Sequence, residues 1–161
     1  MRVEHRSKRS DHETPESILS RVRQIGPIVL DPATRKENPT GAEYIRTPHC
    51  DPDGLVTRWR EFKGLVFVNP PYGRPHNRVW AEKIASEGKA GAEIVALVAA
   101  RTGSRWFEQM WTANRICFVL GRIRFVGSEA GAPFDSALCY WGPRVSRFEK
   151  AMEGLGKLIR P

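Results

Sequence analysis

Long apolar runs are missing from this chain of 161 residues. No stretch approaches the roughly 18 uninterrupted apolar residues of a membrane-spanning helix. Cysteine is scarce as well. Cys50, Cys117 and Cys139 are far apart and odd in number, which excludes a disulfide framework and a Cys-x-x-Cys metal site. Cys117 and Cys139 lie in apolar runs and read as core residues of a reducing cytoplasm. Cys50 follows His49, but zinc needs further ligands, so this pair reads as loop and no metal is expected. The opening residues, Met1 through Arg9, hold no apolar core of a secretion signal, and the expected location is cytoplasmic. Acidic residues are in deficit: 18 Asp and Glu against 26 Lys and Arg leave a net charge of +8. Such a balance is the electrostatic footprint of nucleic-acid binding, although it also suits acidic membranes or solubility. What is present is globular: 40% hydrophobic and 27% charged residues. The length fits one domain over residues 1–161, with the polar residues 1–13 expected to be mobile.

Thr14 can cap a helix that has Pro15 at its first position. Ile18, Leu19, Val22 and Ile25 then form an amphipathic stripe, stopped by Gly26 and Pro27. Residues 28–30 read as a short buried strand. Residues 34–58 are polar and proline-punctuated, with no firm secondary structure, and a loop of that length is usually functional. Residues 65–68 are all apolar, a strand buried on both faces. They run into Asn69-Pro70-Pro71-Tyr72-Gly73, where paired prolines force a turn. Residues 77–88 predict a helix with Val79, Trp80, Ile84 and Ala85 on one side, and 93–99 another buried strand. Ser104 is expected to cap a helix packed through Trp106, Phe107, Met110 and Trp111. Strands are expected at 115–120, 122–126 and 135–141, then a C-terminal helix from Pro143 through Ile159, weakened by Gly154 and Gly156. This order predicts an α/β sandwich with a mostly parallel sheet and antiparallel late strands. The loops at 31–34, 69–73 and 99–104 should open on one edge, where such sheets bind ligands.

The chemistry concentrates in Asn69-Pro70-Pro71-Tyr72. An exocyclic amine on an aromatic ring is a poor nucleophile because its lone pair is delocalised. Two acceptors aimed at its hydrogens draw the nitrogen towards tetrahedral geometry. Asn69 offers a side-chain carbonyl, and Pro70 a backbone carbonyl whose direction the Pro70-Pro71 turn holds. Tyr72 offers a flat face for a base taken out of its stack. The nitrogen can then attack a methyl sulfonium in line, with no charged general base required beforehand.

From about residue 12 to 141 the sequence resembles the phage-type Dam DNA N6-adenine methyltransferases. The likeness rests on Thr14-Pro15, Asp31-Pro32-Ala33, Asp53-Gly54-Leu55 with Trp59, and Asn69-Pro70-Pro71-Tyr72. It continues in Ala100-Arg101-Thr102, in Gly121-Arg122-Ile123-Arg124-Phe125 and in residues 132–137. The resemblance implies a Rossmann-like methyltransferase sandwich, S-adenosylmethionine as cofactor and DNA as partner, in a bacterial or phage-infected cell. Asn69, Pro70, Pro71 and Tyr72 would be catalytic. Thr14 and Pro15 would lie by the methionine end of the cofactor, Asp31 and Pro32 on the cofactor side, and Asp53 near its adenine. One departure from the wider superfamily is that 31–36 contains no glycine.

Other readings stand beside these. Asp31 and Asp53 can cap their own turns. Glu43 can face a cofactor ribose, but a solvated carboxylate is the simpler reading. Segment 101–124 holds Arg101, Arg105, Arg115, Arg122 and Arg124 against Glu108. Arg122 and Arg124 alternate with Ile123 and Phe125, and with Arg101 are assigned to DNA phosphates. Trp106 and Trp111 read as packing residues, and His5, His12 and His49 as uninformative; His76, just after the turn, can touch substrate, but a surface histidine is the simpler reading. Loops 34–58 and 73–78 are expected to read the DNA sequence. The competing functions are methylation of an RNA base or a glutamine amide, or a silent DNA-binding scaffold.

Overall fold

The computed structural model describes residues 12–47 and 53–161. The expectations for residues 1–11, His49 and Cys50 lie outside the described residues. The first helix, α1 (Glu16–Ile25), buries Ile18, Leu19, Val22 and Ile25 along the predicted stripe. Pro15 takes the N-cap position, and its carbonyl accepts from the amides of Ile18 and Leu19 at 3.0 and 3.2 Å. Thr14 therefore does not cap the helix, and its hydroxyl is used elsewhere.

Strand β1 (Ile28–Asp31) is followed by a two-residue strand, β2 (Tyr44–Ile45), inside the segment 34–58 that carried no firm sequence signal, and by a 3-10 turn, Trp59–Glu61, just after it. Then come β3 (Leu65–Val68), α2 (His76–Lys89) and β4 (Glu93–Ala99). The sheet continues with β5 (Arg115–Val119) and β6 (Ser136–Trp141), and the chain ends in α3 (Val145–Met152) and β7 (Gly156–Ile159).

The seven strands form one mixed sheet in the order β2-β1-β3-β4-β6-β5-β7. The pairs β1–β2, β1–β3 and β3–β4 are parallel, and β4–β6, β5–β6 and β5–β7 are antiparallel. Since β6 opposes both β4 and β5, β5 points the same way as the first four strands. The ends of β1, β3, β4 and β5 and the start of β6 thus share one edge. The apolar residues of β3 and, after Glu93, of β4 are buried because both faces are covered. Val95, Leu97 and Phe67 join Ile18, Val22 and Phe148 on one face, beneath α1 and α3. Val66, Val68 and Ile94 join Trp80, Ile84 and Phe107 on the other.

Four expectations are corrected. Residues 105–112 form a 3-10 helix, and Ser104 bonds back to the Arg101 carbonyl at 2.6 Å rather than capping it. Three residues per turn puts Phe107 and Met110 inside, half-buries Trp106 and leaves Trp111 exposed. On α2 the buried stripe runs through Trp80, Ala81, Ile84 and Ala85, so Val79 falls outside it and is 42% exposed. Residues 122–126 keep the predicted alternation, with Ile123 and Phe125 buried and both arginines exposed. They are not a strand: the backbone bonds described for them are Ala132 N to Ile123 O, Val126 N to Glu13 O and the turn bond Ser128 N to Phe125 O, which make no ladder. The C-terminal helix stops at Met152. Gly154 adopts a φ of +74°, which few other residues tolerate, and a Cβ on Gly156 would lie 2.0 Å from the Phe118 carbonyl oxygen. That close approach lets the chain return as the edge strand β7.

Candidate active site at the carboxyl edge of the sheet

Asn69 leaves β3 half-buried, and its side chain is held from both ends. Its Nδ2 donates to Thr14 Oγ1 at 3.0 Å and to the His12 carbonyl oxygen. Its Oδ1 accepts the Tyr72 hydroxyl proton at 2.9 Å, with the Leu97 carbonyl oxygen also 3.4 Å from that hydroxyl. An amide has two N–H donors and an oxygen with two lone pairs. Both donors are consumed on the His12–Thr14 side, so the amide cannot flip without losing two bonds, and one lone pair of Oδ1 stays available. Burial pushes the Tyr72 phenol far above its ordinary range, so it remains a donor. Pro70, next in the chain, is buried.

Four rings close around this turn. Tyr72 lies 4.8 Å from Phe134 with a tilt of 32°, and 5.3 Å from His12 edge-on. Phe125 completes the box, 4.9 Å from His12 and 6.2 Å from both Tyr72 and Phe134. A base stacking on the Tyr72 face that Phe134 covers has to part those two rings.

On one side of Asn69 lie the loops after β1 and before β3. Asp31 is 3% exposed. Its carboxylate accepts from Ala33 N at 3.1 Å and Thr40 Oγ1 at 2.9 Å, the turn-capping arrangement. Burial nevertheless raises its pKa to about 6. Asp53 likewise caps its own turn, accepting from Leu55 N at 2.8 Å. The two loops touch through Gly54: a Cβ there would lie 1.8 Å from the Pro32 carbonyl oxygen. The chain thus has a glycine-dependent close approach at β1, but Gly54 supplies it from a distant segment. Trp59 is wholly buried, its indole N–H bonded to the Gly54 carbonyl at 2.8 Å and its backbone N–H to Glu87 at 3.0 Å. Of segment 34–58, Thr34, Thr40, Ala42, Gly54 and Thr57 are buried, while residues 35–37, 43, 44, 56 and 58 are exposed. Arg35, after β1, is paired with Glu13, the neighbour of Thr14. Glu43 is exposed.

On the other side opens a cleft of about 980 Å³ between Tyr72, Phe134, the start of α2 and the segment after β4. Arg74, Arg78, Arg101 and Arg105 line it, with Trp106 and Val79, and no carboxylate among the described residues does so. Arg101 was assigned to DNA from the sequence. Arg122 and Arg124 do not line the cleft. They are exposed on the segment that carries Phe125, and Arg122 stands 3.7 Å from Asp135.

A family model described as DNA N-6-adenine-methyltransferase (Dam) matches residues 3–139. The chain belongs to this family. It is accordingly a DNA adenine methyltransferase, and the match covers every block that carried the resemblance up to β6. No curated protein gives a match. Among the described residues, no helix is long and apolar enough to cross a membrane, and no group of three His, Cys, Asp or Glu could hold a metal ion.

For a Dam-family enzyme the informative result is which residues come together. Thr14 touches Asn69 directly, and the loops of Asp31-Pro32 and Asp53 pack on one another. The sequence reading missed His12, whose ring and backbone carbonyl both serve the Asn69–Tyr72 turn. Arg74 fell in a loop expected to read DNA and Arg105 in a cationic segment, but neither was given a role of its own, because the cleft is assembled from three separate stretches of chain.

Proposed function

We propose that this Dam-family enzyme transfers a methyl group from S-adenosylmethionine to the N6 amine of adenine, within a single Rossmann-like domain spanning residues 1–161. The carrying observation is the engagement of both Asn69 amide hydrogens by His12 and Thr14, which leaves Oδ1 facing away with an open lone pair. Asn69 Oδ1 and the Pro70 carbonyl are the acceptors for the two amine hydrogens of a target adenine. Drawing on those hydrogens localises the nitrogen lone pair. No charged base is required first, which suits a turn with no ionised side chain in it; the proton leaves late.

The residues present fit the cofactor. Strand β1 sends the chain outward to β2 and then back past itself to β3, so the crevice between β1 and β3 is a topological switch point. Open α/β sheets bind ligands outside the strand ends at such points. Thr14, Pro15, Asp31, Pro32 and Asp53 border it. The Glu13–Arg35 pair beside Thr14 supplies one anion and one cation, complementary to an amino acid's ammonium and carboxylate. S-adenosylmethionine, when bound, supplies an electrophilic methyl group on a sulfonium. The chain's own part is orientation and exclusion of water. Thr14 and His12 hold Asn69, Tyr72 donates to it, and Phe125, Phe134 and the His12 ring shield the turn. Arg101, Arg122 and Arg124 take phosphates, whose contacts position the duplex without reading sequence.

The test combines calorimetry with methyl transfer. The purified protein should bind S-adenosylmethionine and convert unmethylated DNA to DNA whose digested nucleosides contain N6-methyladenine. Cofactor binding with methylation of RNA or of a glutamine amide instead would overturn the substrate. Absence of both binding and transfer would point to a silent DNA-binding scaffold.

A further inference from the structure

We infer that the arginine-lined cleft beside Tyr72 holds a single DNA strand next to the target adenine, with the adjoining base stacked on Trp106 and its phosphates on Arg74, Arg101 and Arg105. The inference rests on the methyl-transfer reading above and adds the strand's path and three residues that no sequence block assigned.

Charge is the first argument. Four guanidinium groups line the cleft and no carboxylate among the described residues does. Arg78 is already engaged by Glu82 at 3.1 Å, which leaves Arg74, Arg101 and Arg105 without an ion-pair partner among the described residues. All three are exposed, so a polyanion reaches them without displacing protein contacts.

Aromatic surface is the second. Trp106 is half-buried and lines the cleft, while its neighbour Phe107, 5.6 Å away edge-on, is wholly buried and anchors the 3-10 helix in the core. The indole is therefore mounted on a fixed element. Cationic grooves carrying aromatic platforms are the arrangement that binds single strands, because every base has a face to stack. Val79, turned out of the α2 stripe and into the cleft lining, extends the apolar surface beneath such a base.

Size and continuity are the third. At about 980 Å³ the cleft stands at the upper end of the roughly 300–1,000 Å³ of small-molecule sites, more than a lone nucleobase occupies. It is continuous with Tyr72 and Phe134. A strand whose adenine reaches Tyr72 has its next nucleotide at Trp106. The enzyme then holds an extruded stretch rather than one base, and single-stranded DNA suffices for binding.

The experiment uses the full chain, a fluorescently labelled 15-nucleotide single strand containing adenines, and the same sequence as duplex, read by anisotropy over a salt series. Wild type is expected to bind the single strand, more weakly as salt rises. Trp106→Ala should weaken single-strand binding about tenfold. The exposed pair Arg74→Ala with Arg105→Ala, which leaves the core untouched, should flatten the log–log salt slope by about 1.4. Lys89→Ala, at the opposite end of α2, should change neither. Wild-type affinity and slope in all the cleft variants, in a protein that methylates DNA, would overturn the strand path and leave the methyl-transfer reading intact. Wild-type protein that binds neither strand form and transfers no methyl group would overturn both.

Discussion

The two sides of Asn69 are built on opposite principles. Towards β1 the polar side chains have partners within the fold: Asp31 with Thr40 and Ala33, Asp53 with Leu55, Glu87 with the Trp59 backbone. Towards α2 four arginines, only Arg78 of them ion-paired among the described residues, and a tryptophan line a cleft that no described carboxylate lines. The first side is preorganised, as a site for one small ligand of fixed shape must be. The second is open and charged, as suits a polymer whose phosphates repeat and whose bases vary. Asn69 sits at the seam, its donors on the ordered side and its free lone pair available to a substrate.

The largest expected effect tests the ordered side through Asp31. Burial lifts its folded pKa to about 6 from an ordinary 3.8. The folded state therefore holds the proton more tightly than the unfolded chain does. The associated stability is complete below about pH 3.8 and lost as pH rises through 6, a swing of about 3 kcal/mol. Asp31→Asn keeps an acceptor for Ala33 and removes the titration. Urea denaturation of both proteins between pH 4 and 7 should show that swing as a difference between them. Parallel curves would mean that the carboxylate is not desolvated and that this side is less closed than described.

Thr14 comes next. Thr14→Val removes one of the two bonds that Asn69 Nδ2 donates, and turnover should fall about fivefold, in line with roughly 1 kcal/mol for one hydrogen bond. Thr14→Ser should restore it. A loss confined to cofactor affinity, with kcat unchanged, would assign Thr14 to binding rather than orientation. The smallest effect belongs to the arginines outside the cleft. Arg124→Ala should shift the salt slope of duplex binding by about 0.9, one phosphate's worth. Arg122→Ala should shift it less, since Arg122 already faces Asp135 at 3.7 Å. Equal effects would show that this pairing is broken in the complex.

Much of this was legible in the sequence where burial on two faces writes a continuous signal. Leu65–Val68 and Glu93–Ala99 read as buried strands and are, and the Asn69-Pro70-Pro71-Tyr72 turn follows from its prolines. Signals failed where the deciding contact is remote. Tyr44–Ile45 is too short to show alternation and exists because β1 lies beside it. Residues 122–126 alternate like a strand but find no ladder partner. Residues 143–159 carry a helical stripe throughout, yet the close contact of Gly156 with Phe118 redirects the last turns into β7. His12 was invisible because its backbone carbonyl, which any residue offers, does much of its work.

The most direct measurement is single-turnover methyl transfer by Asn69→Ala, with cofactor and DNA affinities determined on the same preparation. If Asn69 acts on the amine, the rate should fall by roughly 10²–10³, the scale of one lost catalytic hydrogen-bonding group. Both affinities should stay within about twofold of wild type. A rate loss matched by an equal loss of cofactor or DNA affinity would contradict the account, making Asn69 a strut between the two sides rather than the acceptor that acts between them.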